Sequence, residues 1–91
     1  MPRVTIDLPS LLARVTGEQT LAVEADTLRE ALEQAFVQVP TLRGHLFDES
    51  GTFRRHVLCF LNDVNSRWLD TLDRPLKDGD CITILQAVSG G

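Results

Sequence analysis

Ninety-one residues of which 43% are apolar make one folded domain with a modest core, neither two domains nor a disordered chain. Thirteen acidic residues against nine basic ones give a net charge of −4, which argues against nucleic acid or an anionic membrane as partner, because both attract basic patches. The opening Met1-Pro2-Arg3-Val4-Thr5-Ile6 lacks the long apolar stretch of a secretory leader, and no run approaches the ~20 apolar residues that span a bilayer, so the expected location is the cytosol.

Val4-Thr5-Ile6-Asp7-Leu8 alternates apolar and polar residues, the period of a strand with one buried face, and Pro9 stops it. After the turn signal Thr16-Gly17-Glu18, a second strand is predicted over Thr20-Leu21-Ala22-Val23-Glu24, antiparallel to the first. Thr27 followed by Glu30 has capping-box spacing: the Thr27 hydroxyl accepts from the Glu30 amide, and the Glu30 carboxylate reaches back to the Thr27 amide. Leu28, Ala31, Leu32, Ala35, Phe36 and Val39 then fall on one side of a helix, with Arg29, Glu33, Gln34 and Gln38 on the other, and Pro40 ends it.

Residues 41–56 read as a long connection, exposed at Gly44, Asp48, Glu49, Ser50 and Gly51 and pinned to the body by Leu42, Leu46, Phe47 and Phe53. Val57-Leu58-Cys59-Phe60-Leu61 is a strand apolar on both faces, closed by the turn Asn62-Asp63. Residues 64–76 read as irregular, with a short edge strand near Trp68, itself a core or edge anchor. Lys77-Asp78-Gly79-Asp80 is a turn, and residues 81–87 form the last strand. Strand, strand, helix, strand, short strand, strand is an α+β layout: one helix on a mixed four- or five-stranded sheet, with the first and last strands parallel at its centre. Residues 1–87 are expected to form this β-grasp (ubiquitin-like) roll, and residues 88–91 a thin, flexible tail.

That tail ends in Gly90-Gly91. Without side chains, the pair suits a carboxylate that must be threaded into another protein's active site, and the four residues from Val88 to Gly91 span about 13–14 Å when extended. The plain alternative is a frayed terminus.

The helix opening Asp26-Thr27-Leu28-Arg29-Glu30-Ala31-Leu32, the strand end Leu61-Asn62-Asp63, the string Pro75-Leu76-Lys77-Asp78-Gly79-Asp80 and the final Ala87-Val88-Ser89-Gly90-Gly91 occur in an order that resembles the ubiquitin-like sulfur-carrier family. That family includes the small subunit of molybdopterin synthase and the sulfur carriers of thiamine and cysteine biosynthesis. The resemblance covers essentially the whole chain and is most specific from Leu76 to Gly91. It implies that an E1-like adenylating enzyme uses ATP and magnesium to convert the Gly91 carboxylate into an acyl-adenylate. A sulfur donor then displaces AMP to leave a thiocarboxylate. It also implies a sulfur-accepting enzyme, either cysteine synthase-like or the large subunit of molybdopterin synthase. The chain itself is then a carrier and not an enzyme, with no cofactor of its own, and it carries neither a P-loop nor a dinucleotide fingerprint.

Alternation locates a docking surface. With Cys59, Leu61, Ile82 and Ile84 toward the helix, Leu58, Phe60, Thr83 and Leu85 face away. Phe60 and Leu85 then form an apolar patch which, with Leu58, Val88 and Ser89, is the expected partner-binding surface. Alternatively these side chains pack beneath residues 64–76. Arg54, Arg55, Arg67 and Arg74 either flank the patch or are plain solvated charges.

Other chemistry finds little support. His45, His56, Cys59 and Cys81 do not have the spacing of a metal site. A Cys59–His56 nucleophilic pair is disfavoured because an apolar strand raises the cost of a thiolate. Cys59 and Cys81 read as ordinary buried or half-buried thiols. Asp48 with Glu49, and Asp78 with Asp80, resemble paired carboxylates but sit in turns. Besides sulfur carriage, two functions stay open: a protein modifier joined to lysines through Gly91, and a β-grasp module that binds a partner without covalent chemistry.

Overall fold

The computed structural model describes residues 1–51, 53, 54, 57–62, 64, 65 and 72–86. Strand β1 (Arg3–Asp7) buries Val4 and Ile6 and shows its alternate residues to the other side, as the two-residue period requires. Residues expected only to connect two strands instead coil into a short helix, α1 (Ser10–Thr16). Pro9 enters it from extended backbone. Gly17 closes it at φ 80°, donating its amide to the Ala13 carbonyl. Thr16-Gly17-Glu18, read above as a loop turn, is therefore a helix exit in which glycine takes the left-handed position. Within α1, Leu12 is buried.

Strand β2 (Thr20–Glu24) pairs antiparallel with β1 in the register Thr5 opposite Ala22. The main helix, α2 (Leu28–Gln38), buries Leu28, Ala31, Leu32, Ala35 and Phe36, the predicted stripe. Its cap differs in one bond from the predicted box. The Glu30 amide donates to the Thr27 hydroxyl at 3.2 Å, but the Glu30 carboxylate accepts from the Asp26 amide at 3.1 Å rather than from Thr27. Thr27 lies in an antiparallel bridge with Pro75, and it is the Asp26 amide that turns toward the helix. The same crossing segment consumes the next free amides: Leu28 donates to the Arg74 carbonyl and Arg29 to the Leu72 carbonyl. The first turn of α2 is thus satisfied by protein groups.

Beyond Pro40, the predicted loop contains a third helix, α3 (Leu42–Leu46). Leu42, Leu46 and Phe47 are buried, and Phe47 packs edge-on against both Phe36 and Phe53, at centroid distances of 5.1 and 5.0 Å. The apolar anchors were legible; the helix between them was not.

Strand β3 (Val57–Leu61) turns at Asn62 into β4 (Val64–Asn65), with Leu61 opposite Val64. A short edge strand therefore follows the hairpin immediately, at Val64–Asn65; the one expected near Trp68 lies outside the described residues, as do Arg55, His56, Asp63 and Arg67. Strand β5 (Cys81–Gln86) completes a five-stranded sheet in the order β2-β1-β5-β3-β4. β1 and β5 are parallel at its centre, and β3 and β5 antiparallel, as expected for a β-grasp roll. Among the described residues, α2 is the one main helix expected, and the short α1 and α3 are additions to it.

One face of the sheet carries Val4, Ile6, Leu21, Val23, Val57, Cys59, Leu61, Ile82 and Ile84 into the core against α2. Burying each large aliphatic side chain contributes about 1.5–3 kcal/mol. Among the described residues, no polar or charged side chain is buried.

The topology gives the molecule two poles. At one, β1 ends, α1 follows, β3 begins and β5 ends, with Val57 opposite Gln86. At the other lie the start of β5, the β3–β4 turn and the start of α2. Residues 87–91 leave from the first pole and lie outside the described residues, the predicted tail boundary at 87/88 included.

Candidate docking face and root of the tail

The outer face of the sheet is not covered by α2, and its residues fall into rows fixed by strand register. One row runs Thr20, Asp7, Thr83, Phe60. A second row, nearer the end of β5, sets Leu58 directly opposite Leu85. Phe60 and Leu85, expected to share an apolar patch, are diagonal neighbours: Phe60 faces Thr83, and the direct neighbour of Leu85 is Leu58. Alternation assigns the face of a strand and not its register with its partner, so this arrangement within the patch comes from the pairing alone.

Leu58 and Phe60 are half-buried and Leu85 is 43% exposed, so the patch meets solvent. Of the segment expected as an alternative cover for it, Leu72 packs against the core, and residues 66–71 lie outside the described residues. Toward β2 the same face turns polar. The Thr20 hydroxyl donates to Asp7 Oδ1 at 3.1 Å, and the Cys81 thiol donates to Asp7 Oδ2 at 3.4 Å. The apolar side chains are thereby gathered on β3 and β5, the half of the sheet from which the tail departs.

Of the other predicted site residues, Val88, Ser89, Gly90 and Gly91 lie outside the described residues. Arg54 is tied by Nε to the Gly44 carbonyl at 2.9 Å. Arg74 does not flank the patch. It lines a crevice with Asn62, Pro75, Lys77 and Asp80 at the far pole, because the chain there crosses the start of α2.

The turn acids hold backbone in place. Asp48 Oδ1 accepts from the Ser50 amide at 2.9 Å, Asp78 Oδ1 from the Arg3 amide at 2.7 Å, and Asp80 Oδ2 from the Lys77 amide at 2.8 Å. Cys59 is buried on the inner face of β3, while Cys81 is half-buried on the outer face of β5. Among the described residues, no group of three or more His, Cys, Asp or Glu is placed to hold a metal ion, and no helix is long and apolar enough to cross a membrane.

Sequence reading missed the exposed apolar side chains of Leu11 and Val15, one turn apart on α1, and the isolated Val37 on α2. The signal was present: a Pro9 entry and a Gly17 exit bracket a helix-length segment with more apolar residues than one short turn can bury.

Comparison with known proteins shows what carries the same arrangement. A family model described as the ThiS family matches residues 6–91. The sulfur carrier protein CysO of Mycobacterium tuberculosis is 33% identical over 91 residues, covering 97% of this chain and 98% of that one. In the crystal structure of the Amycolatopsis orientalis BexX/CysO complex, a chain 30% identical superposes with a TM-score of 0.84, covering 97% of this chain and 99% of that chain. The crystal structure of SAMP1 from Haloferax volcanii superposes with a TM-score of 0.83 at 26% identity, covering 98% and 99% of the two chains.

Proposed function

The chain belongs to the ThiS family, and from that premise we propose that it is a sulfur carrier whose reacting atom is the carbonyl carbon of Gly91. The observation that carries the reading is the Gly90-Gly91 pair, which follows the central strand β5 after three intervening residues, in a chain 33% identical along nearly its whole length to a sulfur carrier protein.

A carboxylate resists nucleophiles because its charge is shared by two oxygens. In the proposed sequence, a Gly91 oxygen attacks the α-phosphorus of ATP on an E1-like enzyme, with magnesium, and pyrophosphate leaves. A sulfide-level nucleophile then attacks the acyl carbon and AMP leaves, giving the thiocarboxylate. ATP, magnesium and catalytic groups belong to that enzyme. This chain contributes presentation, with Leu58, Phe60 and Leu85 beside the root of the tail to seat a partner. The reaction is cytosolic. The accepting enzyme of cysteine-synthase type is favoured over the molybdopterin type by the whole-length identity to CysO.

Intact-mass analysis after incubation with the activating enzyme, ATP and sulfide tests the proposal. Replacement of one oxygen by sulfur, localised to Gly91, is expected; an unchanged mass in the presence of active enzyme overturns it.

A second reading, protein modifier, is favoured by the similarity to SAMP1 and by the 24% identity to a protein named ubiquitin-related modifier 1 from Encephalitozoon cuniculi. The sequence constrains it: Lys77, exposed in the turn before β5, is the single lysine. Conjugates of this chain to itself through a side-chain amine would have to use that residue, so Lys77→Arg removes any such ladder while leaving conjugation to other proteins.

A further inference from the structure

We infer that Leu11 and Val15 of α1 form a second apolar anchor for the enzyme that adenylates Gly91, on the side of the tail's root away from Leu58 and Leu85. The inference rests on the proposed function and adds to it a recognition surface on a different element.

Leu11 and Val15 are 61% and 56% exposed. They stand four residues apart and so share one face of the helix. Leu12 between them is buried, which fixes the orientation of α1. Parallel pairing sets Asp7 beside Thr83, so the chain beyond β1, through Leu8 and Pro9 into α1, draws level with the last residues of β5. The tail and the two exposed side chains therefore leave the same pole.

The length of the tail commits that pole to the partner. Five residues follow Gln86, and fully extended they reach only about 17–18 Å. An enzyme whose site receives Gly91 must bring its entrance close to the end of β5, and its rim then covers the surroundings of that end. Apolar side chains held there reward burial, while a rim made for polar surface would leave them unpaired.

The adenylating enzyme is the occupant for a chemical reason. A Gly-Gly carboxylate carries no distinguishing side chain, so the enzyme that spends ATP on it must select the carrier by its body. The accepting enzyme meets a thiocarboxylate, whose reactivity already distinguishes the loaded carrier from other chains. The adenylating step accordingly needs the larger recognition surface.

The test is ATP–pyrophosphate exchange by the E1-like enzyme of the source organism, with the full-length carrier as varied substrate. The double variant Leu11→Ser/Val15→Ser replaces exposed side chains and is expected to keep the wild-type circular dichroism spectrum and urea midpoint. Its KM for the carrier should rise about tenfold, with kcat within about twofold, because the lost contacts are made equally in the bound and reacting states. Lys77→Ala, at the opposite pole, should leave both constants unchanged. A KM for the double variant within twofold of wild type, or a defect seen only in transfer to the accepting enzyme, or only in self-association, overturns the inference. Failure of the wild-type carrier to support exchange would instead count against the proposed function.

Discussion

Asn62 Nδ2 donates to Asp80 Oδ1 at 3.1 Å, joining the β3–β4 turn to the turn before β5. The other end of the same amide, Asn62 Oδ1, accepts from the Cys81 amide at 3.0 Å, while the Asn62 amide donates to the Cys81 carbonyl at 2.7 Å. The two most recognisable internal strings of the sequence, one around Asn62 and one ending at Asp80, thus form a single bracket. It holds the start of β5 at the pole opposite the tail. These strings anchor the strand from whose far end the tail continues.

Asn62 also sits at φ 56°, in the left-handed region that asparagine tolerates better than other side-chain-bearing residues. Asn62→Ala loses two side-chain hydrogen bonds and retains a backbone angle unfavourable to alanine, so urea unfolding should show a loss of about 2–3 kcal/mol. Asn62→Gly loses the bonds but relieves the angle and should cost about 1–2 kcal/mol. An alanine variant as stable as the glycine variant would show that the angle carries no cost.

Gly79 separates backbone angle from packing. It adopts φ 88°, and a methyl group placed on it meets no atom within 4 Å. Gly79→Ala should therefore destabilise by about 1–2 kcal/mol through backbone strain alone. Gly44, in α3, is equally open and lacks a positive φ. Gly44→Ala should stabilise by about 0.5–1 kcal/mol, through helix propensity and a less flexible unfolded chain. Thermal melts of the two variants are expected to move in opposite directions.

The sequence exposed the sheet more fully than the helices, for physical reasons. β1, β2, β3 and β5 alternate or run apolar over five or six residues, and a period of two is unmistakable at that length. α1 and α3 span seven and five residues, too short for a period of 3.6 to repeat, so they are visible only through end signals such as Gly17. The outer-face assignment of Leu58, Phe60 and Leu85 followed from alternation. The direct Leu58–Leu85 pairing did not, because it depends on long-range register. The anchor on α1 stayed hidden with its helix.

The Leu58–Leu85 pair gives a test of the open face. Leu85→Ser and Leu58→Ser change half-buried or exposed positions, so each should cost about 1 kcal/mol or less of stability. If this face seats a partner, the double variant should bind the accepting enzyme about ten- to a hundredfold more weakly by calorimetry, the penalty for two apolar anchors at an interface centre. Thr5→Ser, on the polar half of the same face, should bind as wild type does. Equal binding by the wild type and the double variant would remove this face from the interface.

Gly90 tests the threading itself. A side chain one residue before the reacting carbonyl must share the channel that carries the tail to ATP, and valine also restricts the backbone that has to pass through it. Displacing a reacting carboxylate by about 1 Å is enough to cost roughly a hundredfold in rate, so Gly90→Val should lower ATP–pyrophosphate exchange by at least about that factor. Among the described residues the core ends at Ile84, six positions before Gly90, and the urea midpoint should not move. Gly90→Ala, which adds one methyl group, should fall between the two. This ordering follows from a narrow channel: a site that reads the tail only by its charge would adenylate all three proteins alike.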